Sequence, residues 1–152
     1  MGTQTIYGLD QLGKFAAELT QKLRAGDVLL LSGPLGAGKT AFTQALARSL
    51  GISEKVNSPT FTIVGEYAVS GHPSITTLVH ADLYRLDPTS LKLRGAGVAE
   101  DPAVQDVLQR ASEPGRLTVI EWAERLGDAV SKNGKWLYFD YGATENERVV
   151  TF

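Results

Sequence analysis

The sequence predicts a single three-layer α/β domain, in which a central and mostly parallel sheet lies between helices. Apolar, strand-like stretches alternate along the chain with helical patterns, which is typical of this class. The run VLLL at 28–31 is continuously apolar, as expected of a parallel strand that is buried on both faces. Two pairs of adjacent β-rich stretches predict hairpins, and we expect these antiparallel strands at one side of the sheet.

The first half of the chain predicts a helix, a strand and a second helix. Apolar residues at helical spacing predict an amphipathic helix over 9–24. The residues AGD at 25–27 interrupt it, and the strand at 28–31 follows. A glycine-rich loop then precedes the second helix, and Gly51 lies where a C-terminal capping glycine is expected.

The second half is richer in strands. Strands are predicted at 61–69, 75–82, 117–122, 136–141 and 147–152. The first two pair as a hairpin around the turn GHPS, and the last two form a terminal hairpin. Residues 88–111 contain helical patches that are broken by GAG and by Pro102, and a short helix is expected at 123–130.

Composition excludes several classes of protein. The chain has 152 residues, about the length of one domain over 1–152, and its 43% hydrophobic residues suffice for a core. A net charge of −2 without a Lys/Arg run argues against a broad nucleic-acid or lipid surface. The absence of cysteine excludes thiolate catalysis, disulfides and Cys/His zinc sites. We expect a cytoplasmic protein, since neither a secretory signal nor the ~18 apolar residues of a membrane span are present.

The stretch GPLGAGKT at 33–40 fits the phosphate-binding pattern G-x-x-x-x-G-K-[ST] at every fixed position, between a strand and a helix. Glycines let backbone N–H groups point inward around phosphate oxygens, and the following helix adds its positive N-terminus. Lys39 would reach the β- and γ-phosphates, and Thr40 would bind Mg²⁺. The agreement favours this interpretation over an ordinary glycine-rich turn. The expected nucleotide contacts here are Gly33, Leu35, Gly36, Ala37, Gly38, Lys39, Thr40 and Ala41.

Two apolar strands end in a carboxylate, Asp82 and Glu121. Ligands of open parallel sheets lie at the carboxyl ends of the strands, so we expect both acids beside the glycine-rich loop. Such a loop needs a second magnesium ligand and a group that positions water. The pattern leaves open which acid binds the metal, and either acid could instead be a helix cap or a solvated strand end. The position of His80 within an apolar strand favours a structural histidine, with its hydrogen bonds satisfied, over a catalytic one.

Three further features of the sequence each allow two interpretations. The segment NSPTFT at 57–62 is either a polar turn or a switch whose hydroxyl or carbonyl groups meet the γ-phosphate. Trp122 is either a core residue or a flank of the nucleotide base. Arg85 contacts either a phosphate, a partner or a surface carboxylate.

Four blocks together, GPLGAGKTAF, NSPTFTIVGEY, HADLYRL and VIEWAERL, resemble the signature blocks of the TsaE family in order and spacing. The resemblance covers nearly the whole chain. It implies a P-loop NTPase-type domain that binds ATP and Mg²⁺, hydrolyses ATP slowly alone, and works with the TsaD–TsaB complex in threonylcarbamoyladenosine modification of tRNA. The low charge argues against direct tRNA binding.

The resemblance also assigns residues. It implies Lys39 as the phosphate-loop lysine, Asp82 as the aspartate of hydrolysis, and Thr40 and Glu121 as the magnesium ligands. It places Thr60 in the switch-like segment, and Trp122 and Glu124 near the nucleotide. The sequence departs from the family pattern at Pro34, where an acid is common, at Ala41, where a threonine is frequent, and over 92–112, where the match is weak.

Two other functions remain open. A small-molecule P-loop kinase would use the same loop and metal, but such kinases usually carry an arginine-bearing lid. The stretch LRGAGVAEDP offers one arginine, Arg94, and no convincing lid. A nucleotide-gated binding module with negligible turnover is the third possibility, and the carboxylates Asp82 and Glu121 argue against it.

Overall fold

A computed structural model describes residues 2–59, 62–93, 95, 97–129 and 134–152. The strands are β1 (Thr3–Tyr7), β2 (Val28–Ser32), β3 (Val64–Ala68), β4 (Thr77–Asp82), β5 (Arg116–Glu121), β6 (Lys135–Tyr141) and β7 (Glu147–Thr151). The helices are α1 (Gly8–Thr20), α2 (Lys39–Ser49), α3 (Pro88–Leu93) and α4 (Pro102–Arg110), with 3₁₀ helices at Val98–Glu100 and Ala123–Ala129. Over these ranges, none of the helices is long and apolar enough to cross a membrane.

The seven strands form one mixed sheet in the order β1-β7-β6-β2-β5-β4-β3. The four central strands β6, β2, β5 and β4 pair in parallel, which confirms the predicted α/β class. Both predicted hairpins are present, β3 with β4 and β6 with β7. They lie at opposite edges of the sheet, so the expectation of antiparallel strands at one side was wrong. The added edge strand β1, which pairs with β7, was not predicted, because it is short and mostly polar.

Two apolar cores, one on each face of the sheet, explain the three layers. Successive side chains of a strand point to opposite faces. Leu29 and Leu31 of β2 therefore lie in a core shared with α1 and α2, whereas Leu30 lies in the core beneath α4. All three are fully buried, and this double burial is the reason for the continuous apolar run.

The helices differ from the predictions mainly at their ends. α1 ends at Thr20 rather than at residue 24. Gly51 has a φ of +74° after α2, which confirms the predicted capping glycine. Pro102 does not break a helix but begins α4 as its first residue, where a missing N–H costs nothing. The segment after β5 is a 3₁₀ helix that Gly127 interrupts with a φ of +58°.

Candidate phosphate-loop site

The chain topology brings the glycine-rich loop and both predicted acids to one edge of the sheet. β5 lies between β2 and β4, and all three strands run parallel. Glu121 at the end of β5 is opposite Leu31 on one side and opposite Asp82 on the other. The glycine-rich loop follows β2 directly. The prediction that both acids lie beside this loop is therefore confirmed.

The loop backbone has the form of a phosphate cradle. Gly33, Gly36 and Gly38 have φ values of +144°, +75° and +107°, which residues other than glycine rarely adopt. A Cβ at Gly33 would also collide with the backbone carbonyl oxygen of Phe139. Gly38 is the N-terminal cap residue of α2, so the positive end of that helix opens toward the loop.

Lys39 is a buried cation within the site, with 4% of its surface exposed. Its Nζ donates hydrogen bonds to the carbonyl oxygens of Gly33 and Pro34, the second at 2.9 Å. The same ammonium lies 4.2 Å from the ring centroid of Trp122. Burial lowers the pKa of Lys39, and the nearby carboxylates, with Glu124 first, act in the opposite direction. Among the residues that the structure describes, neutral carbonyls and a ring hold this lysine, and no salt bridge does.

Thr40 and Glu121 form the polar centre of the site. The hydroxyl of Thr40 donates to Oε1 of Glu121 at 2.9 Å and lies 3.3 Å from the hydroxyl of Ser58. The other carboxylate oxygen, Oε2, lies 2.5 Å from Nε2 of His80. Glu121 is only 1% exposed. Glu121, and not Asp82, is therefore the acid in contact with the predicted metal-binding threonine.

The hydroxyl of Thr40 and the carboxylate of Glu121 are suitable ligands for Mg²⁺. A hydroxyl and a carboxylate oxygen are hard oxygen ligands of the kind that this ion prefers. Among the residues that the structure describes, no group of three or more His, Asp or Glu could hold a metal. A magnesium ion at Thr40 and Glu121 would accordingly complete its shell with phosphate oxygens and water, which is its usual habit in nucleotide sites.

Two of the cavities beside the glycine-rich loop share part of their walls. The larger, about 620 Å³, lies on the side of β5 and β4, and its polar groups include Lys39, Asp82 and Glu121. The smaller, about 250 Å³, lies on the side of β6, β7 and α1, and its wall is mostly apolar and includes Leu9. Gly36, Gly38 and Ala41 line both cavities. Sequence reasoning missed the smaller cavity, because its walls come from distant parts of the chain.

A second missed feature is the attachment of the loop that follows Asp82. Nη1 of Arg125 donates to the backbone carbonyl oxygens of Leu83 at 2.9 Å and Leu86 at 3.1 Å, and also to that of Tyr84. Its guanidinium lies 4.9 Å from the ring centroid of Trp122, which has a φ of +58°. No sequence signal distinguishes Arg125 from other surface arginines.

The sequence comparison decides the family. The family model described as threonylcarbamoyl adenosine biosynthesis protein TsaE matches residues 7–150. The chain belongs to the TsaE family. The resemblance inferred from the four sequence blocks is thus confirmed, and the family is one of tRNA threonylcarbamoyladenosine biosynthesis.

Individual TsaE proteins cover most of the chain. The protein named tRNA threonylcarbamoyladenosine biosynthesis protein TsaE from Synechocystis is 40% identical over 80% of this chain and 68% of its own length. The protein of the same name from Bacillus subtilis is 34% identical over 91% of this chain and 77% of its own length. A crystal structure of Bacillus subtilis YdiB superposes with a TM-score of 0.70 at 24% identity, covering 98% of this chain and 82% of that one. This last likeness shows the shared fold.

The structure of this TsaE-family chain brings together most of the residues predicted from the sequence. Those that line the larger cavity are Leu35, Gly36, Gly38, Lys39, Thr40, Ala41, Asp82, Glu121 and Trp122. Three others lie outside its wall: Gly33 supports the loop, Ala37 is fully buried, and Glu124 is exposed but close enough to act on the pKa of Lys39. Thr60 lies outside the described residues.

Proposed function

We propose that this TsaE-family protein binds and hydrolyses Mg²⁺-ATP in the cytoplasm, and that hydrolysis drives turnover of the TsaD–TsaB threonylcarbamoyl-transfer complex. The single domain over 1–152 is the proposed ATPase unit. The observation that carries the proposal is the meeting of Lys39, Thr40, Asp82 and Glu121 in one cavity at the mouth of a glycine-rich phosphate cradle. These are the parts that a P-loop nucleotidase requires.

The two cavities suggest how ATP lies. The triphosphate occupies the cradle at the glycines that both cavities share. Its γ end points into the larger cavity toward Lys39, Thr40 and Glu121, and its base and ribose enter the smaller, more apolar cavity. Trp122 then lies on the phosphate side of the loop, with its ring against the ammonium of Lys39. In this arrangement the proposed contact of Trp122 is with the phosphate end rather than with the base.

Each polar residue has a proposed role. Lys39 binds the β- and γ-phosphates, and its position in a low-dielectric wall strengthens that interaction. Thr40 and Glu121 hold Mg²⁺, which when bound neutralises charge on the phosphate oxygens. Asp82 orients the attacking water; its Oδ1 accepts a hydrogen bond from the Tyr84 N–H at 3.0 Å, which fixes the carboxylate at the cavity wall. Thr60 is the proposed γ-phosphate contact of the switch-like segment.

The test is Mg²⁺-dependent phosphate release, measured without and with the cognate TsaD–TsaB complex. We expect slow release by the protein alone, strong stimulation by the complex, and a loss of at least ~100-fold in the D82N variant. D106N is the matched control, because Asp106 is exposed on α4, and it should behave as the native protein.

Two results would contradict the proposal. Release that the complex does not change, with no association between the proteins, would exclude a partner-coupled ATPase. ADP formation only after a small-molecule acceptor is added, with the γ-phosphoryl group on the acceptor and no free phosphate released, would instead identify the kinase alternative.

A further inference from the structure

We propose that His80 is a positioning residue for the metal site, acting through Glu121. This inference rests on the proposed function, since it concerns the carboxylate that is proposed to hold Mg²⁺. The observation that carries it is the hydrogen bond of a fully buried imidazole to that carboxylate: Nε2 of His80 lies 2.5 Å from Oε2 of Glu121.

The sheet register explains why the two side chains meet. His80 of β4 is opposite Val119 of β5, and Asp82 is opposite Glu121. His80 and Asp82 are two residues apart, as are Val119 and Glu121, so His80 and Glu121 project from the same face of the sheet. α2, which carries Thr40 in its first turn, covers this face. His80 therefore lies one step further inside the sheet than Glu121, on the side away from the loop.

The hydrogen bonds divide the Glu121 carboxylate between two partners. An ionised carboxylate, the form that binds a metal, can only accept, so the imidazole donates to it through its Nε2–H. Oε1 accepts from the hydroxyl of Thr40 at 2.9 Å. With one oxygen held from inside the protein, the other is directed toward Thr40 and the cavity. A carboxylate without the His80 contact could rotate, and it would have to be reoriented each time the metal binds.

The other ring nitrogen shows that core packing alone does not account for this histidine. Nδ1 of His80 has no hydrogen-bond partner among the described residues, although it is buried. An unpartnered buried polar atom costs free energy, which an apolar residue of similar size would avoid. The N–H donor directed at Glu121 is what the histidine supplies and an apolar residue of similar size would lack. Partners of metal ligands typically change metal affinity or activity by 10- to 100-fold when they are removed.

Three substitutions separate the donor from the volume of the ring. H80Q retains a side-chain N–H near the position of Nε2. H80N places its amide at the position of Nδ1, too short to reach Glu121, and H80L removes every polar atom. Melting temperatures of the unliganded variants establish that each one is folded before it is compared.

The measurement is the Mg²⁺ concentration at which a non-hydrolysable ATP analogue reaches half of its full effect on the melting temperature. A second series records the Mg²⁺ dependence of phosphate release. We expect the midpoint to rise at least ~10-fold in H80L and H80N and to remain near the native value in H80Q. Nucleotide affinity in EDTA should be the same in all of them. In an E121Q background, H80L should shift the midpoint no further.

The outcomes separate this inference from the proposed function. If the native protein shows no Mg²⁺-dependent stabilisation by nucleotide, the proposed function fails and this inference fails with it. Suppose instead that the native protein does show Mg²⁺-dependent stabilisation. The positioning role alone is then wrong if folded H80L has the native Mg²⁺ midpoint, or if H80Q raises that midpoint as much as H80L does. Failure of all three variants to fold would also overturn it, in favour of a purely structural histidine.

Discussion

Gly33 and Gly36 both lie in the glycine-rich loop with positive φ, but their surroundings differ. A Cβ at Gly33 would collide with the backbone carbonyl oxygen of Phe139, which cannot move aside without displacing β6. A Cβ at Gly36 would meet nothing within 4 Å. The first glycine therefore supports the contact between the loop and the sheet, and the second serves only the backbone conformation.

We expect G33A to destabilise the protein more than G36A. Strain at positive φ costs about 1–3 kcal/mol in either variant. Overpacking against Phe139 adds about 1–3 kcal/mol in G33A alone. Urea unfolding, with the midpoint compared at a constant slope, measures the difference. Equal midpoints would show that the loop relaxes away from β6 at no cost.

Individual residues were predictable where a local pattern determines their role. The glycines, Lys39 and Thr40 follow from one contiguous motif. The partner of Glu121 was not predictable, because His80 is 41 residues away and meets it only through the β4–β5 register. A lone histidine in an apolar strand favours a structural reading, which accounts for one ring nitrogen and leaves the other without a partner among the described residues.

At the level of elements, α3 and α4 follow one another but contribute differently. Asp101 caps α4, and its Oδ1 accepts from the N–H of Ala103 at 2.9 Å. α4 buries Val104 and Val107 in the core on its side of the sheet. Asp87 makes a similar contact before α3, accepting from the N–H of Thr89 at 3.0 Å, but α3 buries no residue.

Removal of the two caps should therefore have unequal effects. We expect D101A to lower the free energy of unfolding by about 1 kcal/mol, the usual cost of a lost cap on a helix that belongs to the core. D87A should lower the urea midpoint less, because α3 buries no residue fully and only its partly buried Leu91 packs against the core. Similar losses in both variants would mean that α3 is part of the cooperative unit.

For the whole molecule, the fold class was predictable because strand and helix patterns alternate and the central strands are buried on both faces. The positions of the hairpins were not, since no local pattern states which edge of a sheet a strand joins. β1 escaped prediction because only Ile6 among its residues is buried. The wall of the smaller cavity combines residues of α1, the glycine-rich loop, β6 and β7, which is a tertiary property without a sequence signature.

The proposed position of ATP across both cavities predicts a selective loss of affinity. Leu9 lines the smaller cavity and is 71% exposed, so it is available to a base, and it does not line the larger cavity of Lys39 and Glu121. We expect L9N to weaken Mg²⁺-ATP binding about tenfold, or ~1.4 kcal/mol, and to leave binding of inorganic tripolyphosphate unchanged. L93N is the control, because Leu93 is 85% exposed on α3 and lines neither cavity. Isothermal titration calorimetry gives both affinities. If L9N weakens the binding of ATP and tripolyphosphate alike, the substitution acts on the phosphate cradle. If it leaves ATP affinity unchanged, the base does not bind in the smaller cavity.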